Sequence, residues 1–588
     1  MDDCNQSDSS EEFYDACEDQ MEEDSSSEMD IEHSVIVAEL AINYFFDNKF
    51  EEARNLLKPF AESSLYHSMG NAVFAFLEAM LTFEHIDEAS AALKKCVDLC
   101  HRYRKKTTLT ASIGNTFKKK NFNQLTDLEC HAELCLAESL LMSALLTFVG
   151  DENLTGLIRG SLQVRQCYNC YRACEQIMKH RNWNSNSSAL KIHFNSGVHM
   201  GIGTFNLMIS LLPGRLIKLL QFIGFSSNRS DGLRDLQRGY QENGLRQILC
   251  KLSLLGYHLM VVPMISERQS TDQLNLCDKI LTSQLAKYPS GVWMLFFKGR
   301  YELVTGNLRA AESWYIKSWK SQDAWPQFHF LTFWELLWLN CMQRNWVNAQ
   351  MYANQLLEKS NWSRSIYAYQ LAAIKLMSTD GSTADSSEID KLMLEVVTYK
   401  QKIAGKSLPM EKFMSKRALR YKIQNGRLVL PLIELMYLWN MFKFIGKEYQ
   451  IADGILQVID TEFHNFKRIE STGLLYLTSH LYYADNRALC LLLRGSCYKQ
   501  MGKLALALQD FNECIMLNGI VEDHFIIPYA YFEAALCHAS ENRDLAISML
   551  QDIKKNFPNL HLSLVFILGF MRPSWISMII YRKLFYFN

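Results

Sequence analysis

Proline and glycine are scarce: 588 residues contain only 10 of the first and 27 of the second. So few helix breakers argue against a loop-dominated chain and predict long helices joined by short turns. The first thirty residues hold no Lys or Arg. Such a start lacks the basic segment and apolar stretch of a secretory leader, so the 16 cysteines are expected as free thiols in a reducing, cytoplasmic setting. Catalytic signatures are missing too. There is no HExxH, no nucleophile elbow and no credible dyad, and scattered His and Ser do not make an enzyme. Gly197, Gly201 and Gly203 have neither the preceding strand of a dinucleotide fingerprint nor the Lys-Ser/Thr ending of a phosphate loop. Gly197 and Gly201, four apart, read instead as a place where two helices touch closely. The expectation is a non-enzymatic protein with no cofactor and no metal.

Charge is unevenly spread. Residues 1–30 carry 13 Asp or Glu, which leaves the rest of the chain at +11 against a net −2. A like-charged block without apolar periodicity cannot offset the entropy of ordering, so residues 1–30 are expected to form a disordered acidic arm.

Beyond the arm one pattern recurs. An apolar helix runs into a short polar turn, then an aromatic or aliphatic residue, an Ala three further on, and an apolar residue four beyond that. The fullest copy has Gly495, Tyr498, Gly502, Leu504, Ala507, Phe511 and Cys514. Others have Gly299, Gly306, Leu308, Ala311 and Tyr315; Trp346, Ala349 and Ala353; Asn48, Phe50, Ala53 and Leu57; Ile86, Ala89 and Leu93; and Ala546, Leu550 and Ile553. Within local groups the alanines lie 36 to 39 residues apart, near the roughly 34 of a tetratricopeptide unit. The fold class predicted is all-α: an α-α superhelix of degenerate tetratricopeptide-type hairpins, each covering its neighbour's apolar face.

This divides the chain into the arm, N-terminal repeats at 31–262, central repeats at 263–378, a polar loop at 379–388, C-terminal repeats at 389–558 and an apolar tail at 559–588. Between Ser196 and Phe225 lies a long apolar run split by Pro213-Gly214. It is too short before the proline to span a bilayer and carries charge after it, so it reads as packing between the solenoid halves. Cys167, Cys170 and Cys174, and Cys96, Cys100 and His101, sit at helical spacing and lack a second pair for zinc, so they read as packed thiols. Arg102, Arg104, Lys105, Lys106 and Lys118 to Lys120 form a basic stretch, read as a solvated loop.

Longer strings carry a family resemblance. GIGTFNLMISLLPGRLIKLLQFIGFSSNRSDGL from Gly201, YHSMGNAVFAFLEAMLTF from Tyr66, HAELCLAESLLMSALLTFVGDEN from His131 and IAGKSLPMEKF from Ile403 resemble the tetratricopeptide repeat protein 39 family. LIELMYLWNMFKFIGK, from Leu432, looks like a later helix of that family. The resemblance runs from about Glu32 to Lys555 and implies a superhelix that binds proteins and has no known enzymatic activity.

Inside the arm, Glu12, Phe13, Tyr14, Asp15, Ala16 and Glu18 are similar to the motif of two phenylalanines in an acidic tract. That resemblance implies binding to the major-sperm-protein domain of VAMP-associated proteins at the endoplasmic reticulum. Two adjacent aromatics without a core of their own can anchor in pockets, and the acidic flanks steer them to a basic partner. The expected role is a scaffold or adaptor of the cytoplasm, tethered to that membrane and holding an unknown client in its groove. The alternatives are a lipid-handling protein at membrane contacts and an adaptor for ubiquitin-ligase or chaperone machinery. The tail from Leu562 to Tyr581 is long enough to span a bilayer, but Arg572 and Pro573 fall within it. An arginine there costs roughly 2.5 to 3.5 kcal/mol on insertion scales, which favours a helix capping the solenoid or an atypical terminus over a membrane anchor.

Overall fold

The computed structural model describes residues 30–82, 84–104, 122–150, 154–184, 188–211, 228–265, 269–378, 386–400, 402–403, 406–471, 482–523 and 525–557. The acidic arm before residue 30, most of the basic stretch, the proline-split part of the apolar run and the tail lie outside them.

Helices dominate, as the scarcity of Pro and Gly predicts. Antiparallel hairpins are formed by α1 (Ile31–Phe46) with α2 (Phe50–Leu57), α3 (Leu65–Thr82) with α4 (Ile86–Tyr103), α5 (Asp127–Gly150) with α6 (Leu154–His180), and α7 (Ser188–Ser210) with α8 (Arg229–Gln241). α9 (Gln247–Gly256) continues through a π turn at Tyr257–Val261 to a last turn at Val262–Ile265. It thus runs unbroken across residue 262. α10 (Thr271–Lys287) leads to the pairs α11 (Val292–Thr305) with α12 (Leu308–Lys320), α13 (Gln327–Met342) with α14 (Trp346–Lys359), and α15 (Arg364–Ser378) with α16 (Ser386–Thr398). A small antiparallel pairing of Lys402–Ile403 with Lys406–Ser407 precedes α17 (Pro409–Ile423), α18 (Pro431–Leu438), α19 (Phe442–Ile445) and α20 (Tyr449–Ser471). The last hairpins are α21 (Tyr483–Gln500) with α22 (Leu504–Met516) and α23 (Ile526–His538) with α24 (Arg543–Asn556).

The repeat alanines sit where the pattern requires. Ala53, Ala89, Ala311, Ala349, Ala353 and Ala507 are completely buried, each on the second helix of its hairpin, and Ala546 nearly so. The same logic places Gly299 under the ring of Tyr315 and Gly495 under Phe511: a Cβ added at either glycine would come within 2.6 or 2.7 Å of the ring. Small residues bring the backbones together and the aromatic sixteen residues on fills the gap.

Two expectations are corrected. The polar stretch at 379–388 does not extend to its predicted end, because Ser386, Ser387 and Glu388 open α16. The string from Leu432 is not one helix: α18 stops at Leu438, Asn440 takes a left-handed turn (φ 57°), and α19 restarts at Phe442. Asparagine tolerates that conformation better than most residues, which is why the break falls there.

The array also closes on itself, which a nearest-neighbour stack would not do. Phe45, Phe46, Phe50 and Phe74 from the first helices form one apolar cluster with Tyr288, Val292, Trp325 and Phe328 of the central repeats. Polar groups fix the register. Asn48 Nδ2 donates to the Ser290 carbonyl (2.6 Å), and its Oδ1 accepts from the Val292 amide (2.9 Å). Trp362 Nε1 donates to the Leu81 carbonyl at 2.9 Å. Among the described residues, two stretches, Asp127–Thr147 and Gln247–Met264, are long and apolar enough to cross a membrane, but 72% and 56% of their most apolar 18 residues are buried inside the fold, as in core helices.

Candidate functional site

The six residues of the expected arm motif, Glu12, Phe13, Tyr14, Asp15, Ala16 and Glu18, lie outside the described residues, as do Lys105, Lys106 and Lys118 to Lys120. The described part of the basic stretch is a helix end. Arg104 Nε donates to the buried Glu133 carboxylate at 2.5 Å, so it is tied to the fold rather than solvated. Cys167, Cys170 and Cys174 line the buried side of α6, and burial pushes the Cys167 thiol up to about 12. A thiol held protonated in this way packs as an apolar group. Gly197 and Gly201 mark close contacts, against Leu134 and Tyr171 respectively.

The most elaborate polar arrangement of the N-terminal half centres on Arg246, at the start of α9. Its Nε donates to Glu138 Oε1 (2.5 Å) and its Nη2 to Glu138 Oε2 (2.7 Å), a two-pronged pair across 108 residues in which both side chains are buried. Nη1 donates to the Tyr66 hydroxyl oxygen at 3.2 Å. The Tyr66 hydroxyl in turn faces His131 Nδ1 at 2.6 Å. The two share one hydrogen bond whose direction is set by the His131 tautomer. Burial holds His131 neutral, with its pKa lowered to about 3. The chain joins α3, α5 and α9, and both Glu138 oxygens are engaged by Arg246.

Two similar pairs serve the later repeats. Arg300 binds Glu335 at 2.7 Å and the Leu259 carbonyl at 2.9 Å. Arg417 binds both oxygens of Glu434 (2.5 and 2.9 Å), and Asp523 bridges it to Arg420. Each is buried and joins two helices, α11 with α13 and α17 with α18. Such pairs fix register at least as much as they add stability, because desolvation offsets the Coulomb gain. Composition counts could not locate them; only pairing separates a buried Arg from a surface one.

Above the Arg246 pair lies a cavity of 300 Å³. Its walls come from α1, α3, α5, α6, α7 and α9, with Phe45, Val73, Met142, Met200 and Leu249 among the lining residues. Phe45 and Phe74 wall the cavity and also contact Trp325, so the closure of the array supports one side of it. Polar groups are few. Tyr66, Glu138 and Arg246 engage one another, and Thr204 is within 3.5 Å of the Ser253 hydroxyl. Tyr171 also lines the cavity, pressed against Gly201, where a Cβ would lie 1.9 Å from its ring. On the far side of Tyr171 is a polar hollow edged by Arg172, His199, Arg234 and Arg238.

Elsewhere, apolar side chains stand in solvent at helix-face spacing: Val347 and Met351 on α14, Leu394 and Val397 on α16, and Leu419 and Ile423 on α17. These pairs lie on successive units of the array.

A family model and a sequence relative match most of the chain. The family model for Iml2/Tetratricopeptide repeat protein 39 matches residues 39–501. The chain is 31% identical over 534 residues to Tetratricopeptide repeat protein ttc-39B of Caenorhabditis elegans, covering 90% of this chain and 89% of that protein. Among solved structures, the human IFIT1 dimer with m7Gppp-AAAA is similar over 86% of this chain and 94% of its own, at 12% identity and a TM-score of 0.32. The human IFIT1 dimer with PPP-AAAA gives 84%, 96%, 11% and 0.31. The chain belongs to the Iml2/tetratricopeptide repeat protein 39 family, whose repeat architecture is that of a protein-interaction scaffold.

Proposed function

We propose that this protein is a non-enzymatic scaffold of the cytoplasm that holds client proteins on its helical array while its acidic arm tethers it to the endoplasmic reticulum surface. The observation that carries the client-binding half is the run of exposed apolar pairs on α14, α16 and α17. Apolar side chains exposed on successive units, at spacings that put each pair on one face, are what a partner helix or peptide covers. The tether is supported by the sequence Glu12-Phe13-Tyr14-Asp15-Ala16-Cys17-Glu18 and its acidic surroundings. Phe13 and Tyr14 would fill apolar pockets of the major-sperm-protein domain of a VAMP-associated protein, and Asp15 would make charge-assisted hydrogen bonds there.

Proximity labelling of the wild type beside a Phe13→Ala, Asp15→Ala double variant tests the tether. Endoplasmic reticulum proteins should leave the labelled set in the variant, and identical neighbour sets would remove the proposal. For the client surface, Val347→Asp with Leu394→Asp should deplete co-purifying proteins while leaving the tether-dependent neighbours in place.

A further inference from the structure

The cavity above Arg246 has no role in the scaffold reading, and its chemistry is selective. Its walls are almost wholly aliphatic, aromatic or thioether. The carboxylate and guanidinium at its base satisfy each other, and Thr204 has its own partners. That leaves the Tyr171 hydroxyl. Tyr171 is 2% exposed, lines the cavity, and among the described residues no hydrogen bond engages it. Water needs two to four polar partners to settle in such a place, and one free hydroxyl falls short.

A peptide is a poor occupant. An extended backbone would bring amide and carbonyl groups into a space whose walls are helices with their own backbone hydrogen bonds already made, leaving the newcomers unsatisfied. A helix about 10 Å across is too wide for 300 Å³. A flexible aliphatic chain has no such groups, and Met69, Met142 and Met200 can adjust around it. A cavity of a few hundred Å³, mostly apolar with a few placed polar groups, is the usual form of a small-ligand site.

We propose that this cavity binds the long aliphatic chain of a lipid, with the Tyr171 hydroxyl donating to an oxygen on that chain's head. Leu249, more than a third exposed, stands at the rim where the chain enters.

The test uses the full chain and cis-parinaric acid, a fatty acid that fluoresces when taken out of water. Wild type should give a saturable rise that oleic acid reverses. Val73→Trp and Met142→Trp, which place a large ring into the cavity from half-buried positions, should each weaken binding at least tenfold with unchanged helical circular dichroism. Met516→Trp, at a site 80% exposed and outside both the cavity and the client surface, is the control for an added tryptophan and should bind as wild type. Tyr171→Phe should weaken binding several-fold while keeping the capacity. Uptake from solution identifies a free fatty acid as the ligand; uptake only from phosphatidylcholine vesicles carrying parinaroyl chains identifies a membrane lipid. No saturable uptake from either source by wild type, or equal uptake by the two filled variants, would overturn the proposal. So would displacement of the probe by an apolar helical peptide and not by oleic acid.

Discussion

The ring of Phe50 stacks on that of Trp325, with centroids 5.0 Å apart and planes 20° from parallel. One residue belongs to the first hairpin and the other to the turn before α13. Their contact turns a row of stacked hairpins into a body whose beginning is braced by its middle. Phe45 and Phe74 meet the same Trp325, so the brace also shapes the apolar cavity.

The Arg246 and Glu138 pair should behave as a unit. Arg246→Met alone leaves a buried carboxylate without its partner and is expected to cost about 3–5 kcal/mol. Adding Glu138→Leu removes the stranded charge and should recover much of that loss. Urea midpoints of the two variants decide it, and a double variant less stable than the single would contradict this assignment.

Stability should fall in mild acid. Burial lowers His131 to about 3 and His67, His193 and His258 to about 4, all below the ordinary 6.5. As pH drops from 6.5 toward 4, the unfolded chain takes up protons that the folded chain refuses, so the equilibrium moves toward unfolding. The urea midpoint at pH 5 should lie below that at pH 7.5. His258, shifted by burial alone, is the cleanest probe: His258→Gln should lessen the drop, and an unaltered drop would remove His258 as a contributor.

Glycines at equivalent repeat positions should be intolerant for a packing reason. Gly299→Ala and Gly495→Ala drive a methyl against Tyr315 and Phe511, and overpacking of this kind costs about 1–3 kcal/mol. Gly502 has a left-handed backbone (φ 76°) but nothing within 4 Å of an added Cβ. Gly502→Ala should therefore cost only about 1–2 kcal/mol of backbone strain. Thermal unfolding compares them, and shortening the facing ring, Tyr315→Leu beside Gly299→Ala or Phe511→Leu beside Gly495→Ala, should make the alanine's own cost smaller; an unchanged cost would contradict the packing reason.

The repeat register was legible because hairpin packing depends on residues close in sequence. Ala53, Ala311 and Ala507, with Gly299 and Gly495, announce their helix contacts by spacing alone, and the Gly197–Gly201 contact follows from the same rule. The closure was not legible. Asn48 and Phe50 satisfy the repeat pattern as ordinary turn and helix residues, and nothing local tells that they also meet Val292 and Trp325. The cavity escaped for a related reason. Phe45, Met142, Tyr171 and Leu249 come from separate helices, and only their assembly shows that they enclose a space. Arg104 read as part of a solvated basic run because its partner, Glu133, lies beyond a long intervening segment. The arm motif, by contrast, is visible only as sequence.

Hydrogen exchange on the full chain tests the closed array most directly. In the wild type, amides of α1 to α3 should be protected to a level near that of α11 to α13. Trp325→Ala should lower protection in α1 to α3, and Phe50→Ala should lower it in α11 to α13, although neither substitution lies in the segment it loosens. Unchanged protection of α1 to α3 in Trp325→Ala would contradict the closure and leave a simple open stack.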